Sequence, residues 1–175
     1  PIGNAVSRAH DMAREYSVLS AVHPYFSKAP EPILLSTDEG ILGAPFFVMK
    51  KKGGLILRKE AAGLTEADFG ALGEAFAQCL GELHLLPVGS TELEKLGKPE
   101  GYVERQVQGW AARFEKTEIT DAEAMRAVSD WLHKNLPPNA DGRLIHNDLK
   151  FDNLVLNPDS PSDIWGVLDW EMATV

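Results

Sequence analysis

The sequence predicts an α+β fold, with amphipathic helices through most of the chain and a short strand–loop–strand unit near its end. Four segments carry apolar residues at helical spacing. Short apolar runs of strand length occur at residues 33–36 and 46–49, and two more flank a polar loop at residues 146–153. A chain of 175 residues is long enough for one or two domains of this kind.

Composition and charge exclude several classes of protein. The apolar fraction of 44% and the charged fraction of 25% are those of an ordinary globular protein. The net charge of −9 argues against a nucleic-acid partner, because affinity for phosphate backbones depends on Lys and Arg. The longest apolar candidate, residues 41–49, is shorter than the roughly 20 residues that span a bilayer, and the start of the sequence has no signal-peptide pattern. We therefore expect a cytoplasmic protein with neither a membrane nor a nucleic-acid partner.

The first third of the chain is expected to form a helix and a hairpin-like pair of strands. The helix is predicted from about Asn4 to Val22, where His23-Pro24 ends it. A strand follows from Ile33 to Ser36, residues 37–40 are typical of a turn, and residues 46–49 form the second strand. The helix should lie behind the two strands.

The longest helix is predicted from Thr65 to Leu86. Thr65 is expected to cap it, and Asp68 three residues later completes a capping-box pair. Cys79 is expected to be a small core residue. The buried stripe of this helix should comprise Phe69, Leu72, Phe76, Leu80 and Leu83.

Two further helices are predicted, at about Pro99 to Lys116 and at about Asp121 to Leu136. Their tryptophans, Trp110 and Trp131, are expected to be core residues first. Residues 137–142 break the second of these helices. A strand, the polar loop, a strand over residues 153–157, a turn over residues 158–163 and a strand over residues 164–168 should follow.

The polar loop at residues 146–153 carries the chemistry. It follows the apolar pair Leu144 and Ile145, so we expect it to lie between two strands. Asp148 and Asn153 are five residues apart, and Asp169 ends the next apolar strand, so three oxygen-bearing side chains can converge. Phosphoryl transfer uses such a set: one carboxylate accepts the proton of the attacking hydroxyl, while an amide oxygen and a second carboxylate hold Mg²⁺ against the nucleotide phosphates.

Two motifs resemble a known family. His146, Asp148 and Asn153 resemble the H-x-D-x-x-x-x-N catalytic loop of kinases, with Lys150 two positions after the Asp. Leu168-Asp169-Trp170-Glu171 resembles the metal-binding D-x-[DE] motif of the aminoglycoside phosphotransferase family, the small-molecule relatives of protein kinases.

The resemblance implies a protein-kinase-like fold in two parts. A partial, β-containing N-lobe would occupy residues 1–52, with a hinge near residues 48–54. A partial, mainly helical C-lobe with a helical insertion and a catalytic β-hairpin would occupy residues 53–175. The family's glycine-rich turn and lysine-bearing strand do not match any segment here. We therefore expect an internal piece of a longer protein, which by itself would bind nucleotide weakly and turn over little.

The resemblance also implies a role for each site residue. Asp148 is the general base or the residue that orients the acceptor hydroxyl. Asn153 and Asp169 bind Mg²⁺ through oxygen. Glu171, two residues after Asp169, binds the metal or orients its neighbours. Asp152 is expected to be a solvated or loop-stabilising carboxylate.

Five further positions follow from the same resemblance. His146 supports the loop by hydrogen bonding and does not titrate in the mechanism, and Lys150 offsets charge on the transferred phosphoryl group. Glu15 matches the helix Glu that pairs with the phosphate-gripping Lys of kinase-like folds, the alternative being an exposed helical Glu. Main-chain groups near Val48 and Met49 would hold the adenine ring. This expectation rests on where the strand comes in the sequence of elements along the chain.

Three functions stay open from the sequence. The first is a Mg²⁺-dependent phosphotransferase that uses ATP or GTP and a small-molecule hydroxyl acceptor. The second is a nucleotide-binding pseudokinase, and the third is a metal-dependent phosphohydrolase that uses Asp148, Asp152 and Asp169. Arg14-Glu15-Tyr16 together with Leu168-Asp169-Trp170-Glu171 resembles the subgroup associated with acyl-CoA dehydrogenases, where a hydroxyacyl group is the acceptor.

Overall fold

The computed structural model describes residues 11–58, 64–117, 122–139 and 141–175. Short 3-10 helices lie at Glu92–Leu96 and Phe151–Asn153. The chain divides into two compact units, the first formed by Pro1–Leu96 with Arg143–Val175 and the second by Gly97–Gly142. The longer elements are α1 (Met12–Val22), β1 (Pro32–Ser36), α2 (Glu39–Leu42), β2 (Phe46–Met49), α3 (Glu66–His84), α4 (Tyr102–Phe114), α5 (Glu123–Lys134), β3 (Leu154–Asn157) and β4 (Ser160–Val167).

In the first unit, α1 packs against the antiparallel pair β1 and β2. Asp11 caps α1, because its side chain accepts the Arg14 N–H at 3.0 Å. Tyr16 of α1 meets Phe47 of β2 edge to face, with ring centroids 6.3 Å apart. The helix ends at Val22 as predicted, whereas its predicted beginning at Asn4 lies outside the described residues. The predicted lobe boundary between residues 52 and 53 stays a prediction.

The segment predicted as a turn at residues 37–40 instead begins a one-turn helix, α2. Asp38 accepts the Gly40 N–H at 2.8 Å and so acts as a helix cap. Gly43 ends the helix in the left-handed conformation, at φ +80°, which glycine adopts without strain. An Asp with a Gly two residues later fits a turn and a capped helix equally well, and this explains the error.

Helix α3 confirms the predicted capping box. The Thr65 N–H donates to Asp68 Oδ2 at 2.8 Å, and the Asp68 N–H donates to Thr65 Oγ1 at 3.3 Å. Leu72, Cys79 and Leu83 are buried, and α3 packs against β4. Phe69 was expected on the same buried face of the helix but is 48% exposed. It lies in the first turn of α3, before the first of the three buried residues.

The second unit contains α4 and α5, which pack on each other. Trp110 is 62% exposed and Trp131 is 61% exposed, so the prediction that they are core residues is wrong. Two helices cover each other along one side only, and no residue of either helix is buried. An open apolar groove of about 530 Å³ runs between them, and the Arg113 guanidinium lies 4.7 Å from the Trp110 ring centre.

The C-terminal strands β3 and β4 form an antiparallel pair, with Leu154 opposite Val167. The predicted turn at residues 158–163 is shorter than expected, because Asn157 already pairs with Ser160. Leu55 adds a bridge to this pair, since its N–H and carbonyl both bond Leu156, each at 2.8 Å.

The strand expected before the polar loop is reduced to one bridge, between Ile145 and Thr174. Asn147 adopts a left-handed conformation, at φ +65°, which ends the extended path after two residues. In the part of the chain that the structure describes, no helix is long and apolar enough to cross a bilayer. The largest buried side chains of the core belong to Trp170, Leu19, Leu72, Leu83, Leu93, Leu144, Leu154 and Leu156.

Candidate active site

His146 is buried beneath the polar loop, with 2% of its surface exposed. Its Nε2 lies 3.0 Å from the Leu168 carbonyl oxygen, and its Nδ1 lies 3.3 Å from the Asp148 amide nitrogen. A carbonyl only accepts and an amide N–H only donates, so Nε2 carries the proton and Nδ1 is the acceptor. Burial lowers the pKa of His146, which favours this neutral form. A neutral ring that joins the loop to Leu168 is the geometry that a supporting role requires.

Asp148 is held by two side chains of the same loop. Its Oδ2 accepts Lys150 Nζ at 2.7 Å and Asn153 Nδ2 at 3.1 Å. The hydrogen bond from Lys150 is the largest cause of a lowered pKa at Asp148, so the carboxyl group is ionised at neutral pH. An ionised carboxylate with a low pKa is better suited to orienting a hydroxyl group than to removing its proton early in the reaction.

Asn153 is buried at the end of the 3-10 helix Phe151–Asn153. Its side-chain nitrogen donates to the Asp148 carbonyl at 2.9 Å and to the Asp148 carboxylate. Its backbone N–H donates to the Lys150 carbonyl at 2.9 Å, which closes the turn. A hard cation would contact the amide oxygen of Asn153, because the amide nitrogen has no free lone pair to offer a metal.

Asp169 lies two residues after the end of β4, and the residue before it is hydrogen-bonded to the backbone of Asn153. The Leu168 N–H donates to the Asn153 carbonyl at 2.8 Å, and the Leu168 carbonyl accepts from His146. Asp169 itself has a left-handed backbone, at φ +66°, which Asp tolerates better than most residues. The structure therefore joins Asn153 to Asp148 and to the residue before Asp169. The convergence of the three side chains on one metal ion stays a prediction.

The donor set fits a hard cation. Among the described residues, no group of three or more His, Cys, Asp and Glu side chains is placed to hold a metal ion. Mg²⁺ in phosphotransferase sites commonly takes only one or two protein carboxylates, with waters and phosphate oxygens completing its shell. One carboxylate from Asp169 and one amide oxygen from Asn153 meet that requirement.

Glu15 reaches the same region from α1. Its Oε1 accepts the Trp170 N–H at 3.3 Å, directly after Asp169. Burial is the main cause of a raised pKa at Glu15, and the nearby carboxylates of Asp169 and Glu171 raise it further. Glu171 therefore lies within electrostatic reach of Glu15, and whether it binds metal stays a prediction.

Val48 and Met49, predicted to hold the nucleotide base, end β2. Val48 pairs with Leu34 of β1, and both Val48 and Met49 are partly exposed. The following N–H, of Lys50, donates to the Glu31 carbonyl at 2.8 Å. Their role in nucleotide binding stays a prediction.

Trp170 has a structural role that the sequence did not reveal. This side chain is fully buried, and its Nε1 donates to the Val167 carbonyl at 2.8 Å. Its ring meets Phe26 and His146 edge to face, with centroids 6.0 and 4.8 Å away. Its place between two acidic residues gave no signal of this burial, because local sequence does not show what packs against a side chain.

Known proteins resemble this chain in sequence and in fold. Residues 1–175 match the sequence profile of the phosphotransferase enzyme family, APH. The chain belongs to this family. Curated relatives of the chain include human acyl-CoA dehydrogenase family member 11, which is 37% identical over 177 residues. That match covers 100% of this chain and 23% of the human protein, so the chain spans less than a quarter of that relative's length.

Solved structures of other proteins share the fold of this chain. A candidate aminoglycoside phosphotransferase from Ralstonia eutropha JMP134 is 27% identical, with a TM-score of 0.84 over 93% of this chain and 50% of that one. The GDP and kanamycin complex of APH(2″)-IIIa is 21% identical, with a TM-score of 0.67 over 95% of this chain and 58% of that one. The predicted α+β, protein-kinase-like fold, in partial form, is thereby confirmed.

Proposed function

We propose that this chain is the site-bearing part of a Mg²⁺-dependent phosphotransferase that moves the γ-phosphate of ATP or GTP to a hydroxyl group of a small molecule. One observation carries the proposal. Asn153 donates its side-chain N–H to the Asp148 carboxylate and accepts the Leu168 N–H at its own carbonyl, so it joins the candidate base to the residue before Asp169. Membership of the phosphotransferase enzyme family supports the same reaction class.

Each residue of the site has a defined task under this proposal. Asp148, ionised and fixed at Oδ2, would accept the hydrogen bond of the acceptor hydroxyl through its other oxygen. Asn153 and Asp169 would hold Mg²⁺, which supplies positive charge against the nucleotide phosphates. Lys150, exposed and bonded to Asp148, would place a second positive charge on the open side of the loop.

The nucleotide and the acceptor are inferred from relatives. The complex of APH(2″)-IIIa contains GDP, which supports a purine nucleotide as phosphate donor. The likeness to acyl-CoA dehydrogenase family member 11 makes a hydroxyacyl thioester the first acceptor to try, with aminoglycosides second. Fold alone does not determine the acceptor, so both classes belong in one screen.

The test uses the natural full-length protein that contains this chain. Release of ADP or GDP should depend on both an acceptor hydroxyl and Mg²⁺, and chelation of the metal should stop it. Asp152 is exposed and lies next to Asn153, so Asp152→Asn is a matched control that should keep the activity. Nucleotide binding without turnover across the screen would favour a pseudokinase. Phosphate release from phosphoesters without nucleotide, lost in Asp152→Asn, would favour a phosphohydrolase.

A further inference from the structure

We propose that Arg14 and Asn147 are positioning residues that fix Asp169 for metal binding by holding the backbone after it. This inference rests on the proposed function, since it assigns Asp169 to the metal. The two residues are called the carbonyl clamp here. Arg14 lies on α1, and Asn147 lies in the polar loop directly before Asp148. Neither residue belongs to the motif that it holds.

The carbonyl clamp donates hydrogen bonds to three successive backbone carbonyls. Arg14 Nε donates to the Glu171 carbonyl at 3.2 Å, and Arg14 Nη2 donates to the Ala173 carbonyl at 2.8 Å. Between them, Asn147 Nδ2 donates to the Met172 carbonyl at 3.0 Å. The segment after Asp169 is therefore held from α1 and from the polar loop at alternate residues.

The bridge next in sequence continues the same pattern. The Ile145 N–H donates to the Thr174 carbonyl at 2.8 Å, and the Thr174 N–H donates back to Ile145 at 3.0 Å. Four consecutive carbonyls, from residue 171 to residue 174, thus accept hydrogen bonds from distant parts of the chain. A buried edge strand would satisfy such carbonyls through a ladder, but here side chains supply most of the donors.

Asp169 needs this support because of its own backbone. Its φ of +66° costs free energy even for an Asp, which tolerates it better than most residues, so contacts on both sides help to keep it. On the side before Asp169, Leu168 is fixed by Asn153 and His146. On the side after it, the carbonyl clamp and the contact between Glu15 and the Trp170 N–H fix the chain. The carboxylate of Asp169 is thereby aimed by backbone held at both ends.

Arginine suits this task for a geometric reason. Its planar guanidinium carries N–H groups in a fixed fork, so a single side chain reaches two carbonyls that are two residues apart. A lysine keeps the positive charge but offers a compact ammonium without the fork. Arg14→Lys therefore separates positioning from charge. Asn147→Gly removes the side-chain amide without adding backbone strain, since Gly adopts the φ of +65° found there.

The experiment measures metal binding directly. The natural full-length protein, Arg14→Lys and Asn147→Gly are titrated with Mn²⁺ as a paramagnetic probe in the presence of ADP or GDP. Residues that orient metal ligands typically change metal affinity by about 10- to 100-fold when mutated, and we expect a loss of that size in both variants. Hydrogen exchange at the amides of residues 170–174 should also become faster.

The control is Thr65→Ala, which removes the cap of α3 and lowers stability without touching the carbonyl clamp. It should leave Mn²⁺ affinity and the exchange of residues 170–174 unchanged. If the natural protein binds Mn²⁺ and both clamp variants bind it equally well, the inference is overturned while the proposed function stands. If the natural protein does not bind Mn²⁺ with either nucleotide, the proposed function and the inference fail together.

Discussion

Trp170 should stabilise the site through the hydrogen bond of its indole nitrogen as well as through the packing of its ring. It is fully buried, and its Nε1 donates to the Val167 carbonyl at 2.8 Å. Trp170→Phe keeps an aromatic ring but removes this donor and leaves a buried carbonyl with one partner fewer, which costs about 1–3 kcal/mol. Trp170→Ala also removes the contacts to Phe26 and His146, and large-to-small changes of this kind cost about 3–5 kcal/mol.

Trp165 provides a matched control within β4. Its Nε1 also donates to an oxygen, Asp163 Oδ2 at 2.9 Å, but the side chain is 43% exposed. Water replaces a lost partner at such a position, so Trp165→Phe should change the free energy of unfolding by no more than about 0.5 kcal/mol.

The assay is hydrogen exchange in increasing urea, read on peptides that cover residues 154–175. This measurement reports the free energy of opening of the β3–β4 region itself, whatever other domains are attached. The expected order of stability is natural protein, then Trp170→Phe, then Trp170→Ala. Equal losses in Trp170→Phe and Trp165→Phe would contradict this prediction, because the buried hydrogen bond would then contribute nothing beyond an exposed one.

Two further predictions concern neighbouring parts of the first unit. Gly54 has φ +147°, and a Cβ there would lie 2.5 Å from the Leu156 carbonyl oxygen and 2.6 Å from Val155 Cγ1. Gly54→Ala should therefore lower the free energy of unfolding by about 1–3 kcal/mol. Gly53→Ala is the control, because Gly53 has open space around it, and it should change stability little in the same urea titration. Burial holds the pKa of His146 below its ordinary 6.5, so the unfolded state binds the proton more readily and the free energy of unfolding should fall as pH drops from 6.5 towards the folded-state pKa. Replacing this residue, as in His146→Gln, should remove that part of the pH dependence, and identical pH profiles for the two proteins would contradict the assignment of a buried neutral ring.

Local patterns predicted the parts of the fold that local interactions determine. The capping box of Thr65 and Asp68 uses two residues three apart, and it formed as expected. Asp148 and Asn153 are five residues apart in one turn, so their contact could also be read from spacing.

The burial of tryptophans could not be predicted in the same way. Trp110 is exposed and Trp170 is buried, although both are apolar residues near charged ones. Burial depends on what packs against a side chain, and helical spacing identifies the apolar face without saying whether anything covers it.

The support of Asp169 was also beyond the reach of the sequence. Arg14 lies 157 positions before Glu171 and 159 before Ala173, the residues whose carbonyls it holds. No spacing rule links positions so far apart, and carbonyl acceptors leave no mark in the sequence because every residue has one. The sequence pointed to this turn of α1 through the resemblance of Arg14-Glu15-Tyr16 to a family motif.

In the proposed function, Asp148 acts on the acceptor hydroxyl while Asn153 and Asp169 bind the metal. The most direct measurement compares Asp148→Asn with the natural full-length protein, following both nucleotide binding with Mg²⁺ and transfer of the γ-phosphate to the acceptor found in the screen. Nucleotide binding should persist, and the rate of transfer should fall by about 10²-fold or more, the loss expected when the attacking hydroxyl is no longer held in position. Transfer at the natural rate in Asp148→Asn would contradict the account.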